Sequence, residues 1–175
     1  MSAMILFPAV AFDANEWFVL ISALFVILYA LWLPNRFPLF VTGFILLFNI
    51  FLGVSVDFTI GVKPLDLYDV NDSPRFEYMD LAIYFISYPP VAYIALHYYD
   101  RHKPRGWTLV LFVLGWAALT TGLEWMADKA GTFQYNRWRL EWSFIVYIAV
   151  YAINIALLAT IRRLLRIPVP GAGKG

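Results

Sequence analysis

The residues in this chain that could do chemistry are carboxylates and amides set in long apolar stretches. Glu124 is the one charge inside such a stretch, and Ala117, Thr121, Glu124 and Asp128 follow a 4-3-4 spacing that puts them on one face of a helix. Two carboxylates one turn apart could split their protonation states and serve as acid and base. In the linker that follows, Arg137 and Arg139 offer guanidinium partners, so the spacing predicts that Glu124 pairs with one of them and pins the linker to the bundle. Tyr135, Trp138 and Ser143 complete this polar corner. Gly115, Ala118 and Gly122 mark a second, small-residue face on the same helix, suited to close helix contact.

Other polar groups are sparser. Asn49 and Asn154 lie deep in apolar runs, where an amide pair can join two helices by about 0.6–2 kcal/mol or orient the polar end of a ligand. Pro89 and Pro90 remove two amide donors in mid-run, and a kink is expected there, with Tyr84, Ser87, Tyr88 and Tyr93 around it. Glu77 and Asp80, three apart at a helix start, read as cap chemistry favoured by the helix dipole. Asp66, Asp69 and Asp72 lack the alternating spacing, glycine and terminal Glu of a calcium loop. Both histidines, His97 and His102, fall at one end of one run, and cysteine is missing, which removes thiolate nucleophiles and Cys-ligated metals. No metal site is expected, no cofactor is named, and no HExxH, GxSxG or Walker pattern occurs.

The elements that must position these groups are transmembrane helices. With 62% hydrophobic and 14% charged residues and a mean hydropathy of +0.69, 175 residues cannot hide their apolar surface in a soluble core. Apolar runs at about 17–33, 38–56, 81–99, 107–127 and 142–161 have the length of spans and lack barrel alternation. The reading is an all-α, five-helix polytopic bundle forming a single membrane domain, with short linkers. Met1–Phe12 has no basic n-region, so an uncleaved first span is expected, with Met4–Phe12 at the interface.

Eight basic residues (Arg36, Arg101, Lys103, Arg105, Arg162, Arg163, Arg166, Lys174) fall on one side of this plan and five (Lys63, Arg75, Lys129, Arg137, Arg139) on the other. The positive-inside bias therefore places the N-terminus outside and the C-terminus in the cytoplasm, of a cell membrane and most simply the bacterial cytoplasmic membrane. All acids but Asp100 sit on the outer side or its boundary, and the segment Tyr98–Lys103 reads as a boundary clamp reaching for anionic headgroups. The lipid bilayer is the first partner; nucleic acid is not one, because the basic residues are divided among three membrane boundaries.

Over roughly Glu77–Arg163, the series Glu124, Gly131, Tyr135, Trp138 and Ser143 resembles an uncharacterised family of small multi-spanning bacterial membrane proteins, which implies no activity. The five-span, Trp-rich plan is also similar to that of the tryptophan-rich sensory (translocator) proteins, which would imply tetrapyrrole or sterol-like ligands. The expected function is that of a non-enzymatic membrane protein, a structural subunit of a membrane assembly or a binder of a small hydrophobic molecule such as a quinone, carotenoid, porphyrin or lipid. A cation channel or transporter fed by an acidic outer mouth (Asp13, Glu16, Glu77, Asp80, Glu124, Asp128) is the second expectation. A membrane enzyme using Glu124 and Asp128 on a lipid-linked substrate is the third.

Overall fold

In the computed structural model of the protein, residues 6–8, 11–61, 63–71 and 75–165 are described. Five helices dominate: α1 (Ala14–Trp32), α2 (Leu39–Ile60), α3 (Tyr78–His102), α4 (Trp107–Lys129) and α5 (Leu140–Leu165), each long and apolar enough to cross a membrane. Leu31, Trp32, Leu39, Phe40, Phe44 and Phe51 stand exposed on their outer faces. Such surface is costly in water and costs nothing against lipid tails. Of the interfacial segment expected for Met4–Phe12, residues 4, 5, 9 and 10 lie outside the described residues, as do Asp72, Arg166 and Lys174; Phe7 forms a bridge to Glu77.

Helix ends follow local capping. Asp13 accepts from the Asn15 amide at 3.3 Å while Glu16 returns a bond from the Asp13 amide at 2.8 Å, a capping box that starts α1 three residues before the apolar run. Glu77 and Asp80 make the same reciprocal cap on α3, with Asp80 Oδ2 accepting from the Glu77 amide at 2.7 Å. Four acids of the expected outer mouth are thus engaged as caps. Pro34, following the end of α1, cannot continue a helix and disfavours helical backbone before it.

The innermost helix is α3, with 56% of its apolar window buried against 11–22% for the other four. Its two prolines coincide with a change of helix type. Residues Ile83–Ser87 widen into a π-helical turn, and Pro89 and Pro90 then sit in the first turn of the α-helical stretch Tyr88–His102.

Polar side chains also tie the helices together. Asn49 on α2 and Asn154 on α5 exchange amide bonds of 2.7 and 3.0 Å, the pairing the sequence suggests. Asp100 on α3 is fully buried and accepts from Arg36, between α1 and α2, at 2.9 Å, and from Arg162 on α5. The boundary-clamp reading of Tyr98–Lys103 is therefore corrected at Asp100, which turns inward because two guanidiniums from other elements reach it. The Gly115–Ala118–Gly122 face points outward with open space around Gly115 and Gly122, so among the described residues no helix packs on it. The second and fourth linkers form a two-stranded antiparallel sheet, β1 (Tyr68–Val70) with β2 (Phe133–Tyr135), pairing Tyr68 with Tyr135 and Val70 with Phe133.

Removing Asp100 strands two nearly buried cations. Asp100→Asn is expected to destabilise the purified protein by about 3–5 kcal/mol, measured as a fall in the thermal midpoint; an unchanged midpoint would show that the triad carries no stability.

Candidate functional site

A cavity of about 130 Å³ opens between α2, α3, α4 and α5, running from the level of Asn49 to the β1–β2 sheet. Its walls are largely aliphatic and aromatic, and its polar end carries two carboxylates, Asp57 and Glu124. Sequence reasoning stopped the second span at Val56 because a charge follows. The helix instead runs on through Asp57 to Ile60, which buries Asp57 to 8% exposure about one turn inside the helix end. The uncharged stretch Phe58, Thr59 and Ile60 just after Asp57 was the available signal.

Asp57 Oδ1 accepts the Tyr68 hydroxyl from β1. Tyr84 and Tyr88 of α3 stand around the same carboxylate, while Oδ2 closes no hydrogen bond. Tyr88 comes from the helical segment that the prolines begin. Gly53 gives its ring room: a Cβ there would meet Tyr88 Cδ2 at 2.6 Å.

Glu124 is held by three hydroxyls. Tyr135 on β2 donates to Oε1 at 2.5 Å, Ser143 on α5 donates to the same oxygen at 2.6 Å, and Tyr147 one turn further donates to Oε2 at 2.5 Å. Trp138 Nε1 donates to the Ser143 hydroxyl at 2.7 Å, extending the network to the linker. Gly131, at φ +88, supplies the left-handed turn that brings the chain from α4 back into β2. The Leu67 carbonyl then accepts the amides of Asn136, Arg137 and Trp138, fastening one linker to the other. Burial, and after it the neighbouring Asp57 charge, holds the Tyr68 hydroxyl far above the usual phenol range; burial and the bond to Glu124 do the same for Tyr135. Both remain neutral donors.

Arg137 and Arg139 are not Glu124's partners. Arg139 reaches the exposed Glu141 at 3.4 Å, and Arg137 lines a surface hollow with Lys63 and Asp66. Tyrosine and serine satisfy Glu124 without bringing a second charge into the bundle. Asp128 binds its neighbour Lys129 at 3.0 Å near the surface, so the carboxylates that share a space are Asp57 and Glu124. Among the described residues, none forms a cluster of three acidic, His or Cys groups able to hold a metal. Asn49 lines the cavity's deep end; Pro89 and Pro90 do not line it but precede Val91 and Ala92, which do. The arrangement can bind a molecule with an apolar body and a polar head that donates hydrogen bonds or carries positive charge.

Glu124→Ala would leave the Tyr135, Ser143 and Tyr147 hydroxyls without their acceptor. It is expected to destabilise by at least about 3 kcal/mol, against about 1 kcal/mol for Tyr147→Phe, read from unfolding midpoints; equal effects would show that Glu124 does not organise the corner.

The residues that carry the family resemblance, Glu124, Gly131, Tyr135, Trp138 and Ser143, all belong to this corner. No protein-family model, curated protein or solved structure matches the chain.

Proposed function

We propose that this protein is a multi-pass membrane protein that binds a small hydrophobic ligand in the cavity between α2, α3, α4 and α5. The carrying observation is the cavity itself: a space walled by aliphatic and aromatic side chains inside a membrane-type bundle, with its polar groups gathered at one end. The excess of Lys and Arg at the opposite end supports an orientation with the N-terminus outside and the C-terminus in the cytoplasm of a cell membrane, bacterial by the family resemblance. In that orientation the polar end of the cavity lies near the outer surface, under the β1–β2 sheet. The outward Gly115–Ala118–Gly122 face leaves a place for another membrane subunit beside α4.

A second reading has the bound molecule turned over. It is favoured by one observation, two carboxylates facing one water-poor space, in which one can hold a proton while the other does not.

Mild purification from native membranes followed by native mass spectrometry tests binding. The wild type is expected to carry a small-molecule mass that is lost in Ala92→Phe, which fills the cavity wall at a buried position while leaving the helices intact by circular dichroism. A wild type with no added mass, or an adduct that survives Ala92→Phe, would count against the cavity as the binding site.

A further inference from the structure

The charges around the cavity define the ligand's head more narrowly than the cavity's shape does. Asp57 and Glu124 both line it, and among the described residues no Lys, Arg or His does. Their hydrogen-bond donors are neutral hydroxyls, from Tyr68 for Asp57 and from Tyr135, Ser143 and Tyr147 for Glu124. Elsewhere in the bundle the chain treats a buried acid differently: Asp100 receives two guanidiniums. Asp57 is 8% exposed, faces the cavity, and leaves Oδ2 without a hydrogen bond. A buried carboxylate without a counter-charge is costly unless a proton or a cation neutralises it, and two acids facing one space leave room for a cation that a ligand can supply. The remaining walls suit one kind of cation. Tyr88, Tyr147, Tyr151 and Trp138 line the same space, and aromatic faces attract diffuse, weakly hydrated charge such as an ammonium bearing carbon substituents.

Resting on the ligand-binding reading above, we propose that the cavity takes a lipophilic organic cation, an amine or quaternary ammonium whose nitrogen lies between Asp57 and Glu124 among the aromatic side chains. An anionic head would meet two acids and no base. A neutral head would leave a proton as the only counter-charge at either acid. The apolar stretch of the cavity toward Asn49 receives the ligand's body.

The test is isothermal titration of the full chain, purified in nonionic maltoside micelles, with benzyltrimethylammonium and with neopentylbenzene, its uncharged isostere, each corrected against empty micelles. The cation is expected to bind at least about tenfold more tightly than the isostere. That preference is expected to collapse toward unity in Asp57→Asn and Glu124→Gln. Benzylammonium separates the two sources of the cation: tighter binding than the quaternary probe assigns the head to an amine donating N–H bonds, and weaker binding assigns it to a quaternary ammonium read by charge and rings. Equal affinity of the wild type for the cation and the isostere would overturn the charge assignment while leaving the ligand-binding reading intact, and this comparison depends on no variant. Binding of neither probe would overturn both.

Discussion

Every charged group carried below a membrane surface must be matched by a partner, and three of the buried acids, Asp57, Asp100 and Glu124, organise this fold around that constraint. Asp100 solves it with two arginines, tying the α1–α2 linker and α5 to the inner helix at one end. Glu124 solves it with hydroxyls from β2 and α5 at the other end. Asp57 accepts the Tyr68 hydroxyl at one oxygen, with Tyr84 and Tyr88 standing around the carboxylate and its second oxygen closing no hydrogen bond. The ends therefore differ in kind. One is an ionic clasp that packs solid against Leu33, Phe37, Leu158 and Ile161, and the other is a neutral donor network that keeps a cavity open between its two carboxylates.

That difference explains why the linkers at the cavity end are structured. A two-stranded sheet alone is marginal in water, but here it is secured by the side chains that satisfy the acids: Tyr68 of β1 reaches Asp57 and Tyr135 of β2 reaches Glu124. These two tyrosines are also directly paired in the strand register. The sheet thereby links the carboxylates across the polar end of the cavity. The π-helical turn of α3 and the prolines after it belong to the same construction, since they lead into Tyr88 at the cavity wall, with Gly53 giving its ring space.

Much of this was legible from composition and spacing. The five apolar runs lie within two to four residues of the observed helices at most ends, because hydrophobic length is a strong signal in lipid. The Asn49–Asn154 tie and the Glu77–Asp80 cap were readable because deep amides and early carboxylates have few alternatives. Asp57 was not, since a charge at the edge of an apolar run reads as its end unless the partner that satisfies it, Tyr68 eleven residues on, is known to fold back. Glu124 was expected to seek an arginine. Three neutral hydroxyls serve it instead, and nothing in one linear sequence ranks tyrosine above arginine as a partner. Asp100 was misplaced for the converse reason, its arginines being 64 and 62 residues away.

The central claim is that the two carboxylates face one ligand cavity within the membrane domain. Photolabelling of native membranes with an alkyl diazirine bearing a trimethylammonium head, followed by peptide mapping, tests it most directly. The account predicts adducts on the cavity-lining stretches of α2 and α5, around Gly53–Ile60 and Val146–Tyr151, that are competed away by excess benzyltrimethylammonium. Adducts confined to the outward faces at Phe40, Phe44 and Phe51, unchanged by the competitor, would contradict it.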